Sequence, residues 1–332
     1  MNARYKLNLG LVSAVISTQA IAWGPNGHQT IATIAAQLIH GTAAETQSKA
    51  LLGDITLADA AVWADCAKGV DPAKNYEYQK PGKYPECKVF ETPELEAEMS
   101  DFVRRNDKNC QPKAGEQICH KQYHYSDIAI QQGKYALGPV GTREDDVVAA
   151  VAAAIHVLKG DPSPAPFDIK DKREALLLMA HYAGDIHQPL HVGAIYLDAQ
   201  GVRINPDNGA YDPKTATRGG NSILVKGKNL HSMWDAVPTS MTASKVNAAW
   251  LSKARAIPAD QGSPFDWPAT WATGTLNGAQ RAFQGVKFGP ISGGHWNATL
   301  PTTYSATMSA IKKNQLTVGG AHLAELLQSI WP

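Results

Sequence analysis

Apolar positions along this chain recur mostly at helical spacing. Ile31, Ile34, Ala35, Leu38 and Ile39 fall on one helix face. Val147, Val148, Val151, Ala154, Ile155 and Leu158 form a second stripe, closed by Gly160 and Pro162. Leu176 to Ala183 forms a third, preceded by Asp168 and Asp171, whose charge suits a helix N-terminus. A fourth helix is predicted over about 243–256 with Thr242 as N-cap, and a last one over 321–331 carrying Leu323, Leu326, Leu327 and Ile330. Strand patterning is sparse. Ile223-Leu224-Val225 and Val202-Arg203-Ile204 are expected to pair as a short hairpin. Residues 65–122, 193–222 and 258–300 are rich in Pro, Gly, Asn and Lys and read as long loops, which in a compact domain carry function or are stapled. The pattern predicts an all-α, mainly helical fold with long loops and at most a short β-hairpin. No repeat, low-complexity tract or linker divides it, so residues 23–332 are expected to form a single catalytic domain.

The N-terminus has the layout of an export signal. Arg4 and Lys6 supply positive charge, Leu9 to Ile16 is mostly apolar, and Ala20-Ile21-Ala22 is a small-residue cleavage site. The apolar run is far below the roughly 20 residues that span a bilayer. Residues 1–22 are therefore expected to be a signal peptide and Trp23 the first residue of an exported chain, periplasmic or extracellular, with no membrane anchor. The four cysteines, Cys66, Cys87, Cys110 and Cys119, form no C-x-x-C pair. In an exported chain they favour disulfides that staple one loop-rich stretch, in any of the possible pairings. Hydrophobic content of 44% is ordinary, and a net charge of +1 offers no overall basic surface for duplex DNA, so an anionic substrate must be attracted locally.

Candidate chemistry concentrates in His181-Tyr-Ala-Gly-Asp185-Ile-His187-Gln-Pro-Leu-His191. His181 and Asp185 are four apart, so on a helix they project from one face toward one ion. Pro189 ends the helical pattern and frees His191 to point elsewhere. His231-Ser-Met-Trp-Asp235 repeats the four-residue spacing, and imidazole with carboxylate is ordinary zinc chemistry. Three further candidates are His28 in Trp23-Gly-Pro-Asn-Gly-His28, Asp65 in Trp63-Ala-Asp65, and His124 in Tyr123-His124-Tyr125-Ser-Asp127. A buried histidine standing alone is more often a hydrogen-bonded core residue than a ligand. His40, His120, His156, His295 and His322 are read that way, and His187 as a neighbour that orients a ligand.

These segments, W-G-x-x-G-H, W-A-D, H-Y-x-D, G-D-x-H-Q-P-L-H, G-G-N and N-L-H-x-x-W-D in that order, resemble the zinc-dependent single-strand nucleases of fungi, plants and bacteria, the nuclease S-one/P-one family. The likeness runs from Trp23 to the C-terminal helix, and the chain reads as a bacterial member. It implies a helical phospholipase C/nuclease-like fold and three zinc ions. One would be held by Asp65, His124, His181 and Asp185. A second would be held by the Trp23 amine and carbonyl oxygen with His28 and a bridging Asp185, and a third by His191, His231 and Asp235 with positions left for water. Asp65 and Asp185 are the catalytic carboxylates in this scheme. Hydroxide generated at the close zinc pair would attack phosphorus in line, and the third ion would stabilise the departing 3′-oxygen. The implied substrates are single-stranded DNA and RNA and nucleotides, cleaved by a monomer to 5′-phosphorylated products, with 3′-nucleotidase activity.

The resemblance also implies that Tyr125 stacks on a base, that Asp127 bonds the base edge and that Asn221 adds a polar contact. Arg218 stands where fungal members carry a small apolar residue, so it can stack or grip phosphate. Lys68 stands where an arginine often follows W-A-D, and Cys66 beside Asp65 departs from fungal members. A zinc-dependent phospholipase C would share the metal site but carries Glu at the position of Asp235. A non-catalytic zinc-binding protein of the periplasm would be expected to show a His-rich tract, which this chain lacks.

Overall fold

The computed structural model describes residues 23–108 and 119–332. The expected leader and Cys110 lie outside the described residues. Twelve α-helices follow one another in the described residues: α1 Pro25–Leu38, α2 Ala43–Leu52, α3 Leu57–Ala60, α4 Trp63–Ala67, α5 Pro93–Asp107, α6 Val147–Lys159, α7 Lys172–Asp185, α8 Pro189–Val192, α9 Leu230–Asp235, α10 Ala248–Arg255, α11 Trp267–Ala282 and α12 Tyr304–Ile330. The fold is mainly helical, as the periodicity predicts, and its strands form only small sheets.

α7 is the central rod. Asp171 caps it, its carboxylate accepting from Glu174 N at 2.9 Å, and every residue from Glu174 to Asp185 is buried. This stretch is buried on every face, and its polar residues there, Glu174, His181 and Asp185, are each met by partners within the protein. α6 packs along it, capped by Asp146 and ended by Gly160 in the left-handed region at φ 96°. α1 and α12 also pack on α7. At Gly320 a Cβ would fall 2.5 Å from Ile34 Cβ and 3.1 Å from Ile31 O, so the bare backbone is what lets α12 close on α1.

Several local expectations are corrected. The stripe expected over 243–256 is two elements, a 3-10 turn Ala243–Lys245 and α10, and Asn247 rather than Thr242 caps the helix. α12 starts at Tyr304, well before the expected 321, because Lys312, Gln315 and Thr317 are polar by type yet buried by packing. The stretches read as loops contain α5, α11 and a hairpin of Lys287–Ser292 with His295–Thr299. Ile223–Val225 does not pair with Arg203–Ile204. It pairs antiparallel with Lys228–Asn229 and parallel with His295–Thr299, and Arg203–Ile204 pairs with Tyr196–Leu197. A disulfide joins Cys66 to Cys87, and Cys119 is disulfide-bonded too.

Candidate metal centre

Six elements converge on one buried site. α7 presents His181 and Asp185 from one face, and the chain then turns at Gln188-Pro189 into α8, which carries His191. α9 presents His231 and Asp235, α4 Asp65, α1 His28, and the 3-10 turn Cys119–His124 delivers His124. His28, His181 and Asp185 have fully buried side chains, and the site as a whole is nearly closed to solvent. Three donor groups result, each tight enough to hold a metal ion: His28 with His181 and Asp185, Asp65 with His124 and His181, and His191 with His231 and Asp235.

The spacing suits a four-coordinate metal ion such as zinc. A tetrahedral ion with bonds of about 2.0–2.1 Å holds its ligand atoms about 3.4 Å apart. His124 Nδ1, His181 Nε2 and Asp185 Oδ2 are 2.9, 3.0 and 3.1 Å from one another, and Asp65 Oδ1 completes a fourth corner at 3.8 and 3.7 Å from the two imidazoles. In the third group His191 Nε2 lies 3.1 Å from His231 Nε2, with Asp235 oxygens 3.9 and 3.5 Å from the two rings. Asp185 serves both sides of the centre: Oδ2 faces His124 and His181, and Oδ1 lies 3.4 Å from His28 Nε2.

Hydrogen bonding decides what these nitrogens offer. His181 Nδ1 meets Ala61 O at 2.6 Å, His191 Nδ1 meets His124 O at 2.9 Å and His231 Nδ1 meets Gly219 O at 2.8 Å. A carbonyl oxygen only accepts, so each Nδ1 carries a hydrogen, and in the neutral ring each Nε2 carries a lone pair. With both rings neutral, the Nε2 lone pairs of His191 and His231 face each other at 3.1 Å, an arrangement that a shared cation makes favourable. Protonation is no alternative at His231, where burial pushes the imidazole down to about 3. Burial likewise lowers His28 to about 4 and His124 well below the usual histidine range, which keeps their rings neutral. Both ring nitrogens of His28, Nε2 of His124, Oδ2 of Asp65 and Oδ1 of Asp185 are buried without a hydrogen-bond partner. A bound ion would take up one nitrogen of His28 and the oxygens of Asp65 and Asp185, whose burial unpaired is otherwise costly.

The carboxylates point the same way. Burial works to raise Asp185, but the imidazoles of His181 and His191 hold it well below the usual carboxylate range. Burial also opposes ionisation of Asp65, which Lys68, His181 and His124 nonetheless hold low, with Lys68 Nζ 2.7 Å from Oδ1. Burial drives Asp235 well upward, helped by the charges of Asp65 and Asp185 and against the pull of Gln188 and Lys312, a cost that a bound cation would reverse. Gln188 steadies it meanwhile, its amide Nε2 donating to Asp235 Oδ1 at 2.7 Å.

Beside the third group lies a polar rim. Tyr125 is half-buried, its hydroxyl donating to Gln122 Oε1 at 2.8 Å. Asp127 is half-buried, and desolvation pushes its carboxyl up to about 6 against the pull of His191 and Arg218. Arg218 is exposed and adopts φ 53°, turning the chain into Gly219 and Gly220, both also at positive φ. A Cβ on Gly219 would strike Leu190 O, so only glycine brings its carbonyl to His231. Asn221 is held by Asn229, whose Nδ2 donates to Asn221 O at 2.9 Å.

The family model described as S1/P1 Nuclease matches residues 23–332, which is nearly all of this arrangement. The chain belongs to the S1/P1 nuclease family. Two plant relatives are distant: Endonuclease 5 of Arabidopsis thaliana is 23% identical over 240 residues, 69% of this chain and 62% of that protein, and Endonuclease 2 of the same plant is 24% identical over 219 residues, 64% and 54%. The matched stretch thus spans less than two thirds of either relative.

Every side chain expected as a ligand of this nuclease-family chain falls in one of the three groups, and Trp23 is buried next to them, with Gly24 N donating to Asp235 O at 3.0 Å. His187 is a correction. Its Nδ1 meets Ala183 O at 2.6 Å and its Nε2 meets His322 at 2.8 Å, so it ties α7 to α12 and orients no ligand. Orientation comes instead from main-chain carbonyls and from Gln188. Gly184 was missed as well: a Cβ there would lie inside contact distance of His28 Nδ1. The sequence marks it as the first residue of G-D-x-H-Q-P-L-H and as a glycine inside a strongly helical run, where glycine costs about 1 kcal/mol relative to alanine.

Proposed function

We propose that this chain is a zinc-dependent phosphodiesterase that hydrolyses single-stranded DNA and RNA to 5′-phosphorylated nucleotides and also removes phosphate from 3′-nucleotides. The observation that carries the reading is the cluster of three donor groups, in one of which His191 Nε2 and His231 Nε2 approach to 3.1 Å. One ion is assigned to Asp65, His124, His181 and Asp185, a second to His28, Asp185 and the Trp23 amine and carbonyl oxygen, and a third to His191, His231 and Asp235. Zinc bound there supplies Lewis acidity and, by lowering the pKa of water to about 7, hydroxide at neutral pH.

The chain's own groups do the rest. Asp185 divides its two oxygens between neighbouring groups and so sets their separation. The third group, with three protein donors, keeps room beside the departing 3′-oxygen. Tyr125 offers a ring to an unpaired base, Asp127 an acceptor for its edge and Asn221 a further polar contact. Arg218 stands exposed to stack or to grip phosphate. Stacking accepts any base but requires it outside a duplex, which favours single strands. The Trp23 amine exists only when no residue precedes it, so export and cleavage would assemble the site. A disulfide between Cys66 and Cys87 supports an oxidising compartment, and no helix among the described residues is long and apolar enough to cross a membrane.

The deciding experiment measures zinc per chain and hydrolysis of single-stranded DNA, with phosphatidylcholine in parallel, before and after chelation. Zinc bound near three per chain and nuclease activity lost on chelation and restored by zinc are expected. Undiminished cleavage by the metal-free chain, or cleavage of the lipid alone, sinks the reading.

A further inference from the structure

A recess open to solvent adjoins the metal centre at Asp65 and is lined also by Lys68, Lys80, Tyr84 and Glu86. None of Tyr125, Asp127, Arg218 and Asn221 lines it. Those residues connect instead to the third donor group, through Gly219 O to His231 and through Ser126 N, which donates to His191 O at 2.7 Å. The two recesses thus reach the centre through different ligands.

The wall of the cleft is built in register with a ligand. Cys66, next to Asp65, is bonded to Cys87, which stands between Glu86 and the 3-10 turn's remaining residues, with Tyr84 just before that turn. Gln79 N donates to Gly69 O at 2.9 Å, and a Cβ on Gly69 would fall 3.0 Å from Lys80 Cγ, so a bare backbone lets Lys80 lie against the wall. Tyr84 is half-buried, with Lys83 Nζ 5.1 Å from its ring centroid. An aromatic ring, two ammonium groups and a carboxylate acceptor are what a nucleotide unit needs: a platform for its base, cations for its phosphates and a partner for its amine or hydroxyl groups.

We propose that this cleft is a second nucleotide subsite. It holds the nucleotide on the 3′ side of the scissile phosphate, the one released with the new 5′-phosphate, with Tyr84 against its base and Lys80 near its next phosphate. The proposal rests on the phosphodiesterase reading above. A strand would then cross the centre from the Tyr125 recess to the Tyr84 cleft, and a 3′-nucleoside monophosphate, which ends at the reacting phosphate, would fill only the first.

The test compares the zinc-loaded full chain with Tyr84→Ala, Tyr84→Phe and Lys80→Ala on a single-stranded tetranucleotide and on 3′-AMP. In Tyr84→Ala the ratio of kcat/KM for the tetranucleotide to that for 3′-AMP should fall about tenfold, the worth of one stacked base, and Tyr84→Phe should restore it. Lys80→Ala should lower the same ratio and flatten its dependence on salt. A ratio that stays at the wild-type value in Tyr84→Ala and Lys80→Ala, including equal losses on both substrates, overturns the subsite and leaves the phosphodiesterase reading intact. A wild-type chain that cleaves neither substrate overturns both.

Discussion

Gly184→Ala sets two physical effects against each other with opposite signs. Gly184 lies inside α7, where alanine is favoured by about 0.8–1.0 kcal/mol on helix propensity alone. A Cβ at this position, however, lies inside contact distance of His28 Nδ1 and 2.9 Å from Cε1. The imidazole has nowhere to go: it is fully buried and stacked on His181, centroids 3.9 Å apart at 16°. Overpacking of this kind costs about 1–3 kcal/mol, so the metal-free variant should be about 1 kcal/mol less stable than the parent. The effect on metal is sharper, because zinc–nitrogen bonds tolerate only about ±0.2 Å and the ring must shift further than that. Zinc per chain after dialysis should fall by about one ion, and activity roughly 10–100-fold, the range seen when a ligand loses its support. Urea unfolding with and without chelator, alongside elemental analysis, measures both. Full zinc content together with a gain of about 1 kcal/mol would refute the reasoning, since that is what propensity predicts if His28 is not confined.

Three further changes probe other supports. Lys312 is buried and donates to Met233 O at 2.7 Å and Ala236 O at 2.6 Å, holding the end of α9; Lys312→Met should cost about 2–4 kcal/mol in urea unfolding by leaving two carbonyls unsatisfied, and should loosen the ion at His231 and Asp235. Retained stability and zinc would show that α9 is held otherwise. Cys87→Ser opens a cross-link of sequence separation 21, and thermal and urea unfolding should report a loss of about 3 kcal/mol, equal to the effect of reductant on the parent at this bond. One residue added before Trp23 should lower zinc content and turnover while leaving the fold, followed by circular dichroism, unchanged; normal zinc loading and turnover would remove the amine from the ligand set.

The donor residues were legible because each local signal is short-range. His181 with Asp185, and His231 with Asp235, are four apart on helices, a spacing that α7 and α9 turn into shared faces. His28, Asp65 and His124 carry no such spacing, and only their motif context marked them. The strand partners of Ile223–Val225 were not legible, since one of them, His295–Thr299, lies some seventy residues away and pairs in parallel. The extent of α12 was hidden for a related reason: Lys312 and Gln315 break the apolar stripe, yet each is buried because a partner elsewhere, Met233 O or His187 O, satisfies it.

By itself, then, the sequence determined which side chains are able to bind metal, which of them share a helix face, and that the chain is mainly helical, because composition and periodicity act over a few residues. The tertiary structure alone decided that six elements meet at one point, that carbonyls of Ala61, His124 and Gly219 face Nδ1 of His181, His191 and His231, and that Gly184 makes room for His28. Those facts depend on distances between residues far apart along the chain, and packing, not local preference, sets such distances.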